Sequence, residues 1–209
     1  TRTLNLILNH EVPPEKILLC TFTEKAARQL RDRLNIGLSQ CGASGADIHE
    51  MTIGTIHSVC QGIIDEYPNE AGVGVWSKTK GLGRGYMVLD ELQRMFFMMD
   101  HFEKIFGTPD ANDKYMGQWR GFWTAIDKAQ GFFDKITEEN IDLAKLRGSV
   151  DPEVAAIGTA MTAYRTLLVQ NARVDFAHLQ WLALDLLERH EPARREFESK
   201  FEYVMVDEY

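Results

Sequence analysis

Apolar positions change their period twice along the chain, and those changes divide it. Leu4, Ile7 and Leu8 recur at helical spacing from Thr3 to Leu8, and Val12-Pro13-Pro14 predicts the end of that helix. The run Lys16-Ile17-Leu18-Leu19-Cys20-Thr21-Phe22 is short and almost unbrokenly apolar. It predicts a strand buried on both faces, as in a parallel sheet. Thr23 is placed to cap a helix whose inner face is Ala26, Ala27, Leu30 and Leu34, with a stop near Gly37. A Gly/Ala/Ser loop over 40–47 leads to Met51-Thr52-Ile53, a second predicted strand. Gly54-Thr55-Ile56-His57-Ser58 then turns into a helix carrying Val59, Ile63 and Ile64. Strand, helix and strand with short joins predict an α/β sheet.

Beyond Tyr67 the pattern is different. Gly72, Gly74, Gly81, Gly83 and Gly85 surround Trp76 and predict an irregular loop. Four helical faces come next: Leu89, Leu92, Phe96, Met99 and Ile105; then Trp119, Phe122, Trp123 and Ile126. The third is Val154, Ile157, Met161, Tyr164, Leu167 and Leu168, and the fourth Phe176, Leu179, Leu182, Leu186 and Leu187. Phe201–Val206 returns to a buried-strand pattern that ends in Asp207-Glu208-Tyr209. The predicted fold class is therefore α/β, a partial parallel-sheet domain with a large all-helical insertion. Residues 1–59 and 197–209 form the sheet part and 60–196 the insertion. Three strands alone leave open sheet edges, through which dimer contacts are expected.

Composition narrows the function classes. The 209 residues are 44% hydrophobic and 26% charged, which excludes collagen-like, mucin-like and wholly disordered chains. No apolar stretch is long enough to cross a bilayer, and neither a secretory leader nor a membrane partner is expected. Cys20, Cys41 and Cys60 are odd in number and form no CxxC pair, so a reducing cytoplasmic setting is predicted. The net charge is −8, yet residues 1–53 hold six basic and six acidic residues, so the excess lies wholly in the later part. Without a global cationic field, any nucleic-acid contact must be local.

Three constellations carry possible chemistry. Asp207-Glu208 closes an apolar strand, and ligands of open α/β sheets collect at the carboxyl ends of strands. There one carboxylate can help hold Mg²⁺ and the next can polarise a water for attack on a phosphate; the alternative is a solvated loop entry. Thr21-Phe22-Thr23-Glu24-Lys25 turns from strand to helix. Its hydroxyls and amides suit a phosphate and an exposed Phe22 suits a base; the alternative is a plain Thr cap with Phe22 in the core. Thr55-Ile56-His57-Ser58 repeats that turn, with the same two readings. The histidines show no metal-ligand spacing. A Cys-His nucleophile could in principle use Cys20 or Cys60, but Cys20 lies within an apolar strand, where a thiol is most often inert.

Taken in order, these pieces resemble the UvrD/Rep-like superfamily 1 DNA helicases. Thr21–Ala27 with Leu30, Arg33 and Leu34 is similar to motif Ia, and Thr55-Ile56-His57-Ser58 to the next motif, Thr-Phe-His-Ser. Asp175-Phe176-Ala177-His178-Leu179 resembles the Asp-Phe-x-x-Leu segment before Walker B, and Tyr203–Tyr209 resembles Walker B itself. Thr1-Arg2-Thr3-Leu4 is similar to the segment just after the Walker A Gly-Lys. The resemblance implies a RecA-like P-loop NTPase sheet, with ATP and Mg²⁺ as cofactors. It implies that Asp207 and Thr1 help hold Mg²⁺, and that Glu208 orients and deprotonates the attacking water. It implies that Thr21, Phe22, Thr23, Lys25, Thr55 and His57 line a single-strand channel, and that single-stranded DNA and duplex junctions are the partners. The chain departs from the family in having Glu24 for Asn and Ile56 for Phe. It contains no G-x-x-x-x-G-K-[ST], so this polypeptide alone is expected to lack ATPase activity. Two other classes share part of these features: a helicase-like subunit of a helicase–nuclease complex, and a helical protein-interaction module on an α/β scaffold.

Overall fold

A computed structural model describes residues 2–42, 48–73 and 85–207. The expectations placed on Thr1, on Glu208 and on most of the glycine-rich loop with Trp76 lie outside the described residues. In chain order the elements are α1 (Arg2–Asn9), β1 (Ile17–Thr21), α2 (Glu24–Gln40), β2 (Thr52–Thr55), α3 (Ile56–Glu66), β3 (Met87–Leu89), α4 (Glu91–Asp100) and α5 (Phe102–Phe106). Next come β4 (Lys114–Tyr115), β5 (Trp119–Arg120), α6 (Phe122–Glu138), α7 (Leu143–Arg147), α8 (Pro152–Gln170) and β6 (Arg173–Asp175). The last are α9 (Phe176–Arg189), α10 (Glu191–Lys200) and β7 (Tyr203–Val206). Two compact units divide the chain, Thr1–Tyr67 with Asp185–Tyr209, and Pro68–Leu184. Within the first unit, Val59 of α3 and Phe197 of α10 pack against Leu18, Cys20 and Phe201.

In the first unit the sheet order is β2-β1-β7, all parallel. β1 is central and buried along its whole length, as its apolar run predicts. Ile17 and Leu19 face a core with Leu34 and Leu38 of α2, Ile48, Met51 and Ile53. Leu18 and Cys20 face the opposite side. Such burial contributes about 1.5–3 kcal/mol for each large aliphatic side chain. α2 does not stop at Gly37 but runs to Gln40. The glycine serves a close approach instead: a Cβ there would lie 2.5 Å from Leu4 Cδ1 of α1.

β7 corrects a second expectation. It pairs with β1, but Tyr203, Val204 and Val206 are exposed, so this strand is not buried on both faces. Four consecutive apolar residues identify a strand without saying what covers it. Among the described residues β1 alone pairs with it.

The second unit is mainly helical, yet not all-helical. β3 pairs parallel with β6, and β4 pairs antiparallel with β5. Its core joins Phe97, Met98, Phe102, Ile105, Ile126, Phe133, Met161 and Tyr164. The α8 face matches the predicted stripe. The α4 face does not: Leu92 and Phe96 are exposed, while Arg94, Phe97 and Met98 are buried. Leu89 belongs to β3 and Ile105 to α5, so the predicted single helix is three elements. Trp119 lies in β5, and both Trp123 and Phe176 are exposed, contrary to the stripes assigned to them. Gly158 lets α7 press onto α8, since a Cβ there would meet Leu146 Cβ at 2.7 Å and Arg147 N at 2.9 Å. Gly158→Ala is therefore strained by backbone as well as side-chain contact. It is expected to destabilise the unit by about 1–3 kcal/mol in urea unfolding.

Candidate functional site

Three strand ends form one row. Thr21 of β1 stands opposite Thr55 of β2, and Cys20 opposite Val206 of β7. One residue on, the Asp207 N–H donates to the Cys20 carbonyl at 2.9 Å. With strands about 4.8 Å apart, Thr55, Thr21 and Asp207 span roughly 10 Å at the carboxyl end of the sheet. That is the end where ligands of open parallel sheets bind.

The turn after β1 is built from its own hydroxyls. Thr21 is completely buried, and its Oγ1 donates to the Thr23 carbonyl at 2.9 Å. Its hydroxyl shapes the turn and presents no surface. Thr23 Oγ1 accepts from the Ala26 N–H at 3.1 Å and caps α2. Pinned between them, Phe22 points outward with 53% of its surface exposed, which overturns the core reading of this residue. Lys25 is exposed on the first turn of α2. Glu24 is also exposed there, where an acid complements the positive end of the helix.

The turn after β2 repeats the device. Thr55 Oγ1 accepts from the Ser58 N–H at 3.1 Å, and Ser58 Oγ donates to the Thr55 carbonyl at 2.8 Å. Ile56 packs with Val59 against Leu18, Cys20 and Phe201, so its side chain serves the core. His57 is half-buried, and burial lowers its pKa, leaving the ring neutral at pH 7.

Asp207 is exposed and borders a cavity of about 780 Å³, lined also by Arg2, Thr3, Leu30, Arg33 and Met205. The first turn of α1 and the residue after β7 thus meet in one concavity of the first unit. Thr3 Oγ1 lies 3.9 Å from Met205 Sδ, tying α1 to β7. A carboxylate with Arg2 and Arg33 in a concavity of this size suits a phosphate-bearing ligand with an oxygen-coordinated cation. Thiol chemistry is disfavoured: burial raises the Cys20 pKa, and burial together with Cys20 pushes Cys60 up to about 11.

In the second unit a buried polar hub escaped the sequence pattern. The Tyr164 hydroxyl donates to Asp175 Oδ2 at 2.6 Å, and the His178 N–H donates to Asp175 Oδ1 at 2.7 Å. Arg94 pairs with Asp134 at 2.5 Å and with Asp175 at 3.4 Å. Burial opposes the Arg94 charge, but Tyr164, Asp175 and Asp134 hold its pKa above the ordinary value. Burial, then Asp175, raises Tyr164 well above its ordinary range and keeps the phenol a donor. A charged residue inside the apolar α4 stretch and an Asp opening α9 were the available signals.

Burial pulls His178 down to about 4, with Arg165 adding to the fall and Asp175 opposing it. Above the ordinary value of 6.5, folded and unfolded chains both carry neutral His178, and stability does not depend on it. Between pH 6.5 and about 4 the unfolded chain alone gains the proton, so stability falls as pH falls, by roughly 3 kcal/mol in total. Urea midpoints measured across that window are expected to drop more steeply for the native chain than for His178→Gln.

The sequence profile of the UvrD/REP helicase N-terminal domain family matches residues 1–209. The chain is similar to the ATP-dependent DNA helicase SRS2 of Saccharomyces cerevisiae, 26% identical over 221 residues, covering all of this chain and 17% of that protein. It is similar to the ATP-dependent DNA helicase PcrA of Bacillus subtilis, 26% identical over 208 residues, and of Staphylococcus aureus, 23% identical over 208 residues. Each PcrA match covers all of this chain and 25% of the relative. The chain thus spans between 17% and 25% of the length of these relatives. Among the described residues no helix is long and apolar enough to cross a membrane.

Proposed function

The chain belongs to the UvrD/REP helicase N-terminal domain family, and we propose that it is part of the first motor domain, with its inserted helical domain, of an ATP-dependent DNA helicase. The full-length protein would move along single-stranded DNA at the expense of ATP and separate the duplex at a junction. The observation that carries this reading is the row Thr55, Thr21, Asp207 at the carboxyl end of one parallel sheet, with Phe22 exposed beside it.

Roles divide along that row. Phe22 offers a flat apolar face on which a base can stack, worth about 1–3 kcal/mol per base by alanine substitution. Thr23 and Lys25 sit at the start of α2, where a hydroxyl, amides and an ammonium suit a backbone phosphate. His57, neutral at pH 7, serves as a hydrogen-bonding group on the same track. Thr21 and Thr55 act through the turns they hold, because their hydroxyls are engaged by the backbone. Ile56 takes no part in stacking, being packed on the sheet.

On the β7 side, Asp207 with Thr1 would hold Mg²⁺, and Glu208 would orient the attacking water and take its proton. Bound Mg²⁺ supplies charge neutralisation on the phosphates. The oxygen donor at Asp207 fits that group, and Arg2 and Arg33 in the same concavity suit the phosphates it would bridge to. On this reading the parallel β2-β1-β7 sheet is part of a RecA-like P-loop NTPase sheet. The test is ATP hydrolysis and strand separation by the full-length protein. Hydrolysis stimulated by single-stranded DNA, with ATP-dependent unwinding, supports the reading; absence of both from folded full-length protein overturns it.

A further inference from the structure

Glycine inside a helix costs stability relative to alanine, so an interior glycine calls for a reason. Gly131 stands in the middle of α6 and is exposed. A Cβ built there would meet nothing within 4 Å among the described residues. Gly158 is explained by the close approach of α7, but no internal neighbour explains Gly131. What surrounds it faces solvent. Phe132, the next residue, is 43% exposed, and its ring lies 5.7 Å from that of Trp119, which rests on the core of the unit. Two exposed lysines bracket that ring on the helix surface, Lys128 four residues before it and Lys135 three after. The helical rise sets them about 10 Å apart along the axis. Of the nearby acids, Asp127 lies 3.8 Å from Lys128, and Asp134 is taken by Arg94. The strip therefore offers two cations, a propped aromatic ring and a gap that admits a flat group close to the helix backbone.

We propose that this strip of α6 binds single-stranded nucleic acid. A base stacks on the Phe132 ring across the space left by Gly131, and the Lys128 and Lys135 ammonium groups meet the phosphates on either side. A duplex keeps its base faces stacked inside and has no use for the ring. An acidic protein segment would satisfy the lysines, but one exposed ring is far less apolar area than a helix laid in a groove buries. Because the chain as a whole carries a net charge of −8, attraction is confined to the strip. The strip lies within the second unit and does not depend on the row at the end of the β2-β1-β7 sheet.

The test titrates the ¹⁵N-labelled 209-residue chain carrying Phe22→Ala with a short oligothymidylate at low ionic strength. It follows the Trp119 indole resonance, assigned with Trp119→Phe. Phe22→Ala removes the base contact proposed for the first unit, so either reading can fail while the other stands. A saturable shift is expected, with affinity at least about fivefold weaker for an abasic strand of the same length, and no matching shift with polyglutamate. Gly131→Leu separates binding from structure. Its urea midpoint is expected to rise, since leucine favours the helix and the space is open, while oligothymidylate affinity falls at least about fivefold. No saturable shift, equal affinity for the abasic strand, or an equal response to polyglutamate overturns the proposal. So does Gly131→Leu that binds as tightly as the parent or has a lower midpoint. Should that variant fail to fold, the abasic and polyglutamate arms still decide.

Discussion

Replacing Asp175 by alanine is expected to destabilise the second unit by about 3–5 kcal/mol, the range for removing one partner of a buried ion pair. One residue serves three others here. Its carboxylate caps α9 through the His178 N–H, accepts the Tyr164 hydroxyl and lies 3.4 Å from Arg94. Alanine would leave the Tyr164 hydroxyl unpaired in the core and the Arg94 guanidinium with Asp134 as its remaining carboxylate. Asp175→Asn keeps one acceptor, enough for the His178 N–H cap, while its amide NH2 meets the Tyr164 oxygen as a donor; it removes the charge but leaves no cavity, and should cost distinctly less. Urea unfolding of the native chain and both variants gives the order native, Asn, Ala. A loss under about 1 kcal/mol for alanine would mean that the hub contributes little beyond its packing.

The other large effect is catalytic. In the full-length protein, Glu208→Gln is expected to lower DNA-stimulated ATP turnover by about 10²–10⁴-fold, the usual contribution of a positioned general base. Glutamine preserves size and a hydrogen bond to water but cannot take its proton. Affinity for single-stranded DNA should stay within about twofold, because the strand contacts proposed for Phe22, Thr23 and Lys25 are on a different strand end. A parallel fall in DNA affinity would assign Glu208 to binding instead.

Much of the sheet unit was legible because its signals are local. An unbroken apolar run leading into Thr at a helix start fixes β1, its turn and the cap of α2, and the same grammar recurs at β2. Burial of β7 was not legible, since a strand's cover is supplied by other parts of the fold. The β3–β6 pair was missed for a related reason: three-residue strands carry no measurable period, and Met87 finds Arg173 far along the chain. On α4 the apolar residues run nearly all round the helix, and the buried position was settled by the ion pairs of Arg94. Tyr164 was placed correctly on its helix face, but a hydrophobic stripe says nothing of its hydroxyl.

The candidate site was legible in its residue types more than in their roles. Thr21 and Thr55 read as ligands from sequence because hydroxyls at strand ends often are; here the backbone takes them first. Phe22 carried two readings, a stacking face or a core residue, because an apolar residue after an apolar strand usually continues inward. The Thr21–Thr23 hydrogen bond closes the turn and leaves it outside.

The DNA contacts proposed for the first unit depend on the carboxyl end of the β2-β1-β7 sheet being the face that meets the strand. Photo-cross-linking tests this directly: full-length protein bound to oligothymidylate carrying 5-iododeoxyuridine is irradiated, digested with trypsin and mapped by mass spectrometry. The account places a cross-link in the peptide Ile17–Lys25, at Phe22, with loss of that product in Phe22→Ala. Efficient cross-linking that never reaches this peptide, in protein that binds the strand tightly, would contradict it.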